Sequence, residues 1–287
     1  MAPPSDPPAL DPRHAPPRRG RIAIGAITAG ITAISLCTAI SIGAAAPLGS
    51  PPPRDRATHP TVATGRIEGT VEISTSLSAR RPQFRIYADP GSGSLPPAPP
   101  KDPIAAELRN VVVYLEGDSD RLPGSDSLVA AHRHASIAQR DERFAPHVVA
   151  LLAGGTVDFP NDDDIFHNVY SLSGLAGPNG KGFDLGRYPK GQSRSETFPR
   201  TGAVPVFCHI HSDMSAMVLV LPNPYFTSPD EAHHFVLEDV PEGDYTIIGW
   251  HERVKPPVTR KIHVAAGQTT NVDFNIPLPQ GGGAGTP

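Results

Sequence analysis

Short segments in which apolar and polar residues alternate recur along the chain, separated by turns rich in proline and glycine. Gly65–Ile73 alternates with a period of two and is predicted to be a half-exposed strand. Asn110–Gly117 is predicted to be a strong strand, and Val204–Phe207 alternates and is β-prone. The unbroken apolar run Met217–Leu221 indicates a buried strand. Further strands are predicted at Gln83–Tyr87, 235–237, 240–248, 261–264 and 270–276. This pattern predicts an all-β protein.

Two long segments do not follow the strand pattern. Residues 1–21 are rich in proline and arginine and are predicted to be disordered. Residues 22–46 contain no charge, and as a helix of roughly 1.5 Å per residue they could span a bilayer core of about 30 Å. They are predicted to be a signal peptide or a transmembrane anchor, and both alternatives stay open. Arginines before them predict that everything downstream is exported, so the folded part is extracytoplasmic (periplasmic or cell-surface), either anchored or secreted.

The composition excludes some functions. The chain has 287 residues, with 35 prolines and 27 glycines, and its net charge is −4. No cluster of Lys and Arg accompanies stacking aromatics, so nucleic acid is not an expected partner. No nucleophile elbow and no phosphate-binding glycine loop is present. Residues 47–64 are predicted to be a Pro-rich linker, 118–133 a polar loop, and 277–287 a disordered tail.

A set of metal-donating residues lies in and before one short loop. Cys208 is the only cysteine outside the apolar N-terminal run, so a disulfide within the chain does not explain it. His211 and Met214 follow it at spacings of three and six, and His167 lies upstream. A thiolate, two imidazoles and a thioether are the donors that copper takes in electron-transfer sites. Met217 is a competing thioether, but it falls within the predicted strand.

Around these residues the sequence resembles the cupredoxins, the blue-copper β-sandwich proteins. The match runs from about 135 to 221, and the short Cys-x-x-His-x-x-Met loop is most similar to that of amicyanins. The motifs that carry the resemblance, in the order of the family, are Phe144-Ala145-Pro146, Gly155-Thr156-Val157-Asp158-Phe159-Pro160-Asn161, His167-Asn168-Val169 and the Cys208 loop. The resemblance implies a Greek-key β-sandwich that binds one type 1 copper.

By position, the resemblance implies His167, Cys208 and His211 as equatorial ligands and Met214 as the long axial ligand. It implies that the Asn168 side chain ties the two ligand loops together. His209 stands where the family usually has a small hydroxyl residue. Because neighbouring strand residues point to opposite faces, the His209 side chain is expected to point away from the metal.

A second resemblance concerns the segments on either side of this sandwich. The turn Val240-Pro241-Glu242-Gly243-Asp244-Tyr245 and the strand after it resemble the prealbumin-like β-sandwich of carboxypeptidase regulatory domains. The opening strands of that family correspond to 65–73 and 111–115. The predicted arrangement is one sandwich made of 65–117 and 223–276, with a cupredoxin at 130–222 inserted into it. A tandem of two independent domains is the alternative.

The combined interpretation is an exported protein that carries single electrons between redox partners. Two alternatives stay open: a copper storage or delivery module, and a structural protein with an incidental metal site. Oxidase activity is not expected, since multicopper oxidases need four His-x-His pairs and only 132–134 and 209–211 have that form. The expected partners are an unidentified redox protein and, if 22–46 is uncleaved, a membrane.

Overall fold

The structure is a computed structural model, and it describes residues 63–73, 103–118, 120–177 and 179–277. The predicted disordered N-terminus, the apolar segment 22–46, the strand Gln83–Tyr87 and residues 278–287 of the tail lie outside the described residues, as does nearly all of the predicted linker. Within the described residues, no helix is both long enough and apolar enough to cross a membrane.

The described part of the chain contains eighteen strands and two short helices, which confirms the all-β prediction. In chain order they are β1 (Thr64–Ile73), α1 (Pro103–Leu108), β2 (Val112–Leu115), α2 (Asp126–Ala131), β3 (His134–Ser136), β4 (Ala138–Arg140), β5 (Arg143–Ala145), β6 (Val148–Leu152), β7 (Gly155–Pro160), β8 (His167–Ser171), β9 (Phe183–Tyr188), β10 (Ser193–Phe198), β11 (Gly202–Phe207), β12 (Ser215–Leu221), β13 (Phe226–Thr227), β14 (His234–Pro241), β15 (Gly243–Trp250), β16 (Val258–Val264), β17 (Thr269–Asn271) and β18 (Phe274–Ile276).

One pair of sheets, which we call the split sandwich, is built from residues on both sides of the metal-donor segment. Its first sheet joins β1 to β14, β17 and β18, and its second runs in the order β13-β2-β15-β16. The two sheets share one apolar core, to which β1, β2, β14, β15 and β16 all contribute. Strands before and after the donor segment are therefore hydrogen-bonded neighbours.

Gly69 is required where β1 passes between its partners. A Cβ at this position would lie 1.7 Å from the carbonyl oxygen of Val272, so only glycine allows this approach. At this point the pairing with β1 moves from β17 to β18. The single strand predicted over 270–276 is accordingly two strands in the structure.

The second pair of sheets, the site sandwich, lies within residues 134–221. A three-stranded sheet in the order β10-β7-β3 faces a five-stranded sheet in the order β6-β12-β11-β8-β9. Their shared core includes Phe159, Phe198, Val206 and Val218, all fully buried. Strands β11 and β12 form a hairpin whose connecting residues are 208–214, so the candidate donors Cys208 and His211 lie between two paired strands.

The two sandwiches pack against each other through a third apolar cluster. Its buried members come from β2 and β13 of the split sandwich and from β6 and β12 of the site sandwich, and they are Val112, Phe226, Val148, Leu152, Leu219 and Leu221. Strand β12 thus packs on both faces, with Val218 and Val220 in the site core and Leu219 and Leu221 in this cluster. Burial on both faces explains its continuous apolar sequence.

The prediction of a loop over 118–133 was wrong in part, because α2 lies within it. The Ser125 side chain accepts the backbone N–H of Leu128 at 3.2 Å, which is an N-cap bond. The helix has no buried residue, so it leaves no amphipathic pattern in the sequence. Its only readable signal was therefore the cap.

Candidate metal centre

The strands of the site sandwich bring the predicted donors to one end of a sheet. His167 is the first residue of β8, and Cys208 directly follows the last residue of β11. These strands are antiparallel neighbours, paired through Phe207 and Tyr170. The start of β8 and the end of β11 therefore lie side by side, although about forty residues separate them in sequence.

Three donor atoms converge at this end of the sheet. The Nδ1 atoms of His167 and His211 are 3.0 Å apart, and Sγ of Cys208 is 3.9 Å from Nδ1 of His211. One ligand atom from each of these residues lies within 4.8 Å of the others. His167 is fully buried, Cys208 is buried, and His211 is half-buried. Within the residues that the structure describes, this is the one such group of three potential ligands.

The imidazole of His167 is oriented by a carboxylate. Its Nε2 donates to Oδ2 of Asp163 at 2.8 Å. Because Nε2 donates to the carboxylate, Nδ1 is the ring nitrogen that faces His211 and Cys208 and is left to bind a metal. Burial lowers the pKa of His167, but contacts with Cys208 and Asp163 outweigh it, so the net pKa is raised.

Asp163 is itself fixed by the backbone. It accepts the N–H of Asp141 at 2.7 Å and that of Glu142 at 2.9 Å. Burial raises its pKa, but these bonds and the contact with His167 lower it overall. In the sequence Asp163 lies in the acidic turn 162–164, and its position four residues before His167 was a readable sign of this contact.

Asn161 shapes the loop before His167, a role that the motif 155–161 did not reveal. Its Nδ2 donates to the carbonyl oxygens of Ile165 at 2.9 Å and Tyr188 at 3.1 Å. Its Oδ1 accepts the N–H of Asp163 at 2.9 Å. Because Asn161 is 1% exposed, these bonds form in a buried setting and restrain both Asp163 and the turn that leads into β8.

The Cys208 thiol lies in surroundings that favour the thiolate. Burial raises its pKa, but hydrogen bonds with His167 and with the backbone of Asn168, His211 and Ile210 together lower the pKa from 9.0 to about 6. Metals bind the thiolate form of cysteine. The apo protein therefore holds Cys208 ready for a metal near neutral pH.

Asn168 connects the two donor-bearing segments. Its Oδ1 accepts the backbone N–H of His209 at 2.7 Å and lies 3.4 Å from Sγ of Cys208. The bond to His209 uses the main chain, so it does not depend on which side chain follows the cysteine.

The His209 side chain is directed to the surface. It is about half exposed, stacks on Tyr170 with ring centroids 3.6 Å apart and planes 4° from parallel, and has Nε2 3.6 Å from Oδ2 of Asp184. It is not one of the three converging residues.

The two methionines near the site lie in different apolar clusters. Met214 is 1% exposed and belongs to the same core as Cys208. Met217 packs against the cluster between the two sandwiches. The Met214 backbone is part of the donor loop, since its N–H donates to the carbonyl oxygen of His211 at 3.1 Å and its oxygen accepts the N–H of Cys208 at 3.3 Å. Of the two, Met214 is the one placed with the other candidate donors.

The other closely spaced histidines have unrelated partners. Nδ1 of His132 lies 2.9 Å from the Leu128 carbonyl oxygen, and its ring packs on Phe226, whereas His134 contacts Asp158. Neither histidine belongs to the group of converging donor residues.

The residues present fit a copper ion. A buried low-pKa thiol and a pre-oriented imidazole stand beside a second, half-buried imidazole, and a buried thioether follows in the same loop. Soft sulfur donors combined with imidazole favour copper over hard cations such as magnesium or calcium.

Comparison with solved structures finds proteins that resemble this chain at low sequence identity. No family model matches the sequence, and no curated protein matches it. A reduced amicyanin variant is 22% identical with a TM-score of 0.28, covering 31% of this chain and 82% of its own. Amicyanin from Paracoccus versutus is 21% identical with a TM-score of 0.29, covering 38% and 97%. A copper-containing nitrite reductase from Thermus scotoductus is 24% identical with a TM-score of 0.27, covering 30% and 22%. Since identities and TM-scores are low, what the site binds is inferred from its own residues.

Proposed function

We propose that this chain is an exported blue-copper protein of the cupredoxin type that carries single electrons. One type 1 copper would be held by His167, Cys208 and His211, with Met214 as the axial ligand. The observation that carries the proposal is the convergence of one thiol and two imidazole nitrogens within 4.8 Å of one another. The outer contacts of Asp163 and Asn168 support it, because ligand orientation in metal sites depends on such partners.

Bound copper would supply one-electron chemistry by alternating between Cu(I) and Cu(II). The contribution of the chain is to fix the ligands in advance. Asp163 holds the His167 ring and its tautomer, and Asn168 holds the segment that carries Cys208. The burial of His167 and Cys208 excludes water, so the protein donors need little rearrangement when the charge changes.

Electrons would enter and leave near His211. Three large apolar side chains flank the donors and are exposed: Ile165 at 40%, Phe166 at 57% and Ile210 at 38%. Exposed apolar residues grouped around a functional site commonly mark a contact surface. The proposed partner is a redox protein that covers this surface around the half-buried His211.

We also infer that the site sandwich is an insertion in a prealbumin-like domain. The pairing of β1 with β14, β17 and β18, and of β2 with β13 and β15, supports the insertion over the tandem arrangement.

We propose that the uncharged segment 22–46, which arginines precede, directs export of the protein as a signal peptide or a membrane anchor.

Metal addition to the full-length protein tests the proposal. Cu(II) is expected to give an intense blue thiolate-to-copper absorption that bleaches on reduction and returns on reoxidation. Cys208→Ser should abolish the band, whereas Cys37→Ser should retain it. Tight copper binding without the band or without reversible cycling would favour storage or delivery, and no binding would refute the copper site.

A further inference from the structure

His147 joins the donor loop to the other sandwich. Its Nδ1 lies 2.9 Å from the carbonyl oxygen of Ser215, and its Nε2 lies 3.0 and 3.1 Å from the two carboxylate oxygens of Glu252. The side chains of His147 and Glu252 are only 19% and 14% exposed. The His147 backbone oxygen also accepts the N–H of Met217 at 2.7 Å. One residue is thereby bound both to the start of β12 and to a carboxylate.

These contacts span the two sandwiches. Ser215 directly follows Met214 and begins β12, whereas Glu252 follows the end of β15 in the split sandwich. His147 and Glu252 are 105 residues apart in sequence. The contact lies beside the apolar cluster formed by the two sandwiches, to which Trp250 and Met217 contribute. A side chain of the split sandwich therefore reaches the frame of the candidate metal loop.

Hydrogen-bonding chemistry makes this contact strong. A carbonyl oxygen only accepts, and an ionised carboxylate only accepts. Each ring nitrogen of His147 therefore faces an acceptor, and Nε2 donates to the Glu252 carboxylate in a contact that is largely shielded from water. Charge-assisted bonds of this kind are roughly twice as strong as neutral ones.

The Ser215 carbonyl lies one residue from the turn that carries the donors. In that turn the Met214 N–H donates to His211, and the Met214 oxygen accepts from Cys208. Fixing the Ser215 carbonyl restrains the neighbouring backbone of Met214. The N–H and the carbonyl oxygen of Met214 both take part in the hydrogen bonds of the donor turn.

We propose that Glu252 and His147 are positioning residues through which the split sandwich holds Met214 and the 208–214 loop in place. The split sandwich is then a structural part of the site rather than a separate module. The restraint on the loop does not require a metal, but its consequence for copper rests on the proposed function.

The apo full-length protein provides the first test. Glu252→Ala should increase the hydrogen-exchange rates of the Cys208 and Met214 amides by about three- to tenfold, the effect of losing roughly one hydrogen bond. Glu252→Gln should give a smaller increase in the same direction, which covers the case in which the alanine variant fails to fold. Glu107→Ala is the matched control, because Glu107 contacts His251 at 3.1 Å with similar burial, but within the split sandwich.

The copper-loaded protein provides the second test. Loss of the Glu252 contact should change the electron paramagnetic resonance spectrum and the reduction potential, and Glu107→Ala should change neither. Equal exchange at Cys208 and Met214 in the Glu252 and Glu107 variants would overturn the inference. Faster hydrogen exchange in the Glu252 variants alone would support the inference, whether or not the wild type binds copper. Failure of the wild type to bind copper would refute only the proposed function.

Discussion

The side-chain oxygen of Asn168 accepts the backbone N–H of His209 at 2.7 Å, which links β8 to the residue after Cys208. Asn168 is 2% exposed, so this bond forms away from water. A side-chain-to-backbone link tolerates a change of residue at position 209. It explains how the chain keeps the two donor segments together although His209 is not a small hydroxyl residue.

Asn168→Ala should destabilise the apo protein by about 1–3 kcal/mol, because the backbone N–H of His209 loses its acceptor. His209→Ala keeps its backbone N–H and loses the exposed stack on Tyr170 and the exposed contact with Asp184, so it should cost less. Denaturant unfolding of the two variants measures the difference. Equal destabilisation would show that the link contributes little.

Asp163→Asn should weaken copper binding by about 10- to 100-fold, the usual cost of removing a partner that orients a ligating histidine. Asparagine keeps an acceptor for the backbone but removes the charge that favours the proton on Nε2 of His167. Competition with a chelator of known affinity measures the change.

Asp164→Asn is the control for that experiment. Asp164 lies next in the chain, but its side chain is 88% exposed and contacts Lys190. Removing the charge here should leave copper affinity nearly unchanged, since exposed ion pairs contribute little. Similar losses in both variants would mean that net negative charge, rather than orientation of His167, determines affinity.

The sequence predicted strands that have a simple pattern of buried residues, either alternating or continuous. The alternating segment Gly65–Ile73 corresponds to β1, and the apolar run Met217–Leu221 lies within β12. The spacing of Cys208, His211 and the upstream His167 anticipated which residues converge. The ligand roles, including that of Met214, remain proposals.

What the sequence did not reveal depends on long-range geometry. The contact between His147 and Glu252 joins residues 105 apart and has no local pattern. Three consecutive aspartates, 162–164, precede His167, and only folding shows that Asp163 binds His167 while Asp162 contacts Arg140. Helix α2 was missed because it buries no residue.

Met214→Leu should raise the reduction potential of the copper site and keep its blue colour. A thioether is a weak axial donor, and its loss removes part of the stabilisation of Cu(II). The thiolate and the imidazoles, which give the colour, remain. Met217→Leu should leave the potential unchanged, because this side chain packs between the sandwiches. Voltammetry of both variants distinguishes them, and a shift confined to Met217→Leu would contradict the axial assignment.

The thiol of Cys208 provides a pH-dependent prediction for the apo protein. Its pKa of about 6 in the folded state, against an ordinary 9.0, means that the folded state favours the thiolate. The resulting stability is fully present above pH 9.0 and is lost as the pH falls through about 6. The raised pKa of His167 acts in the opposite sense, since its contribution is present at low pH and is lost as pH rises.

Ultraviolet absorbance of the thiolate measures the titration in a Cys37→Ser background, with the additional Cys208→Ser variant subtracted to remove the tyrosine signal. We expect a midpoint near pH 6. His167→Gln should move the midpoint upward, because burial then acts against the thiolate without the hydrogen bond from the imidazole. A wild-type midpoint close to 9.0 would show that the imidazole does not hold the thiolate in the absence of metal.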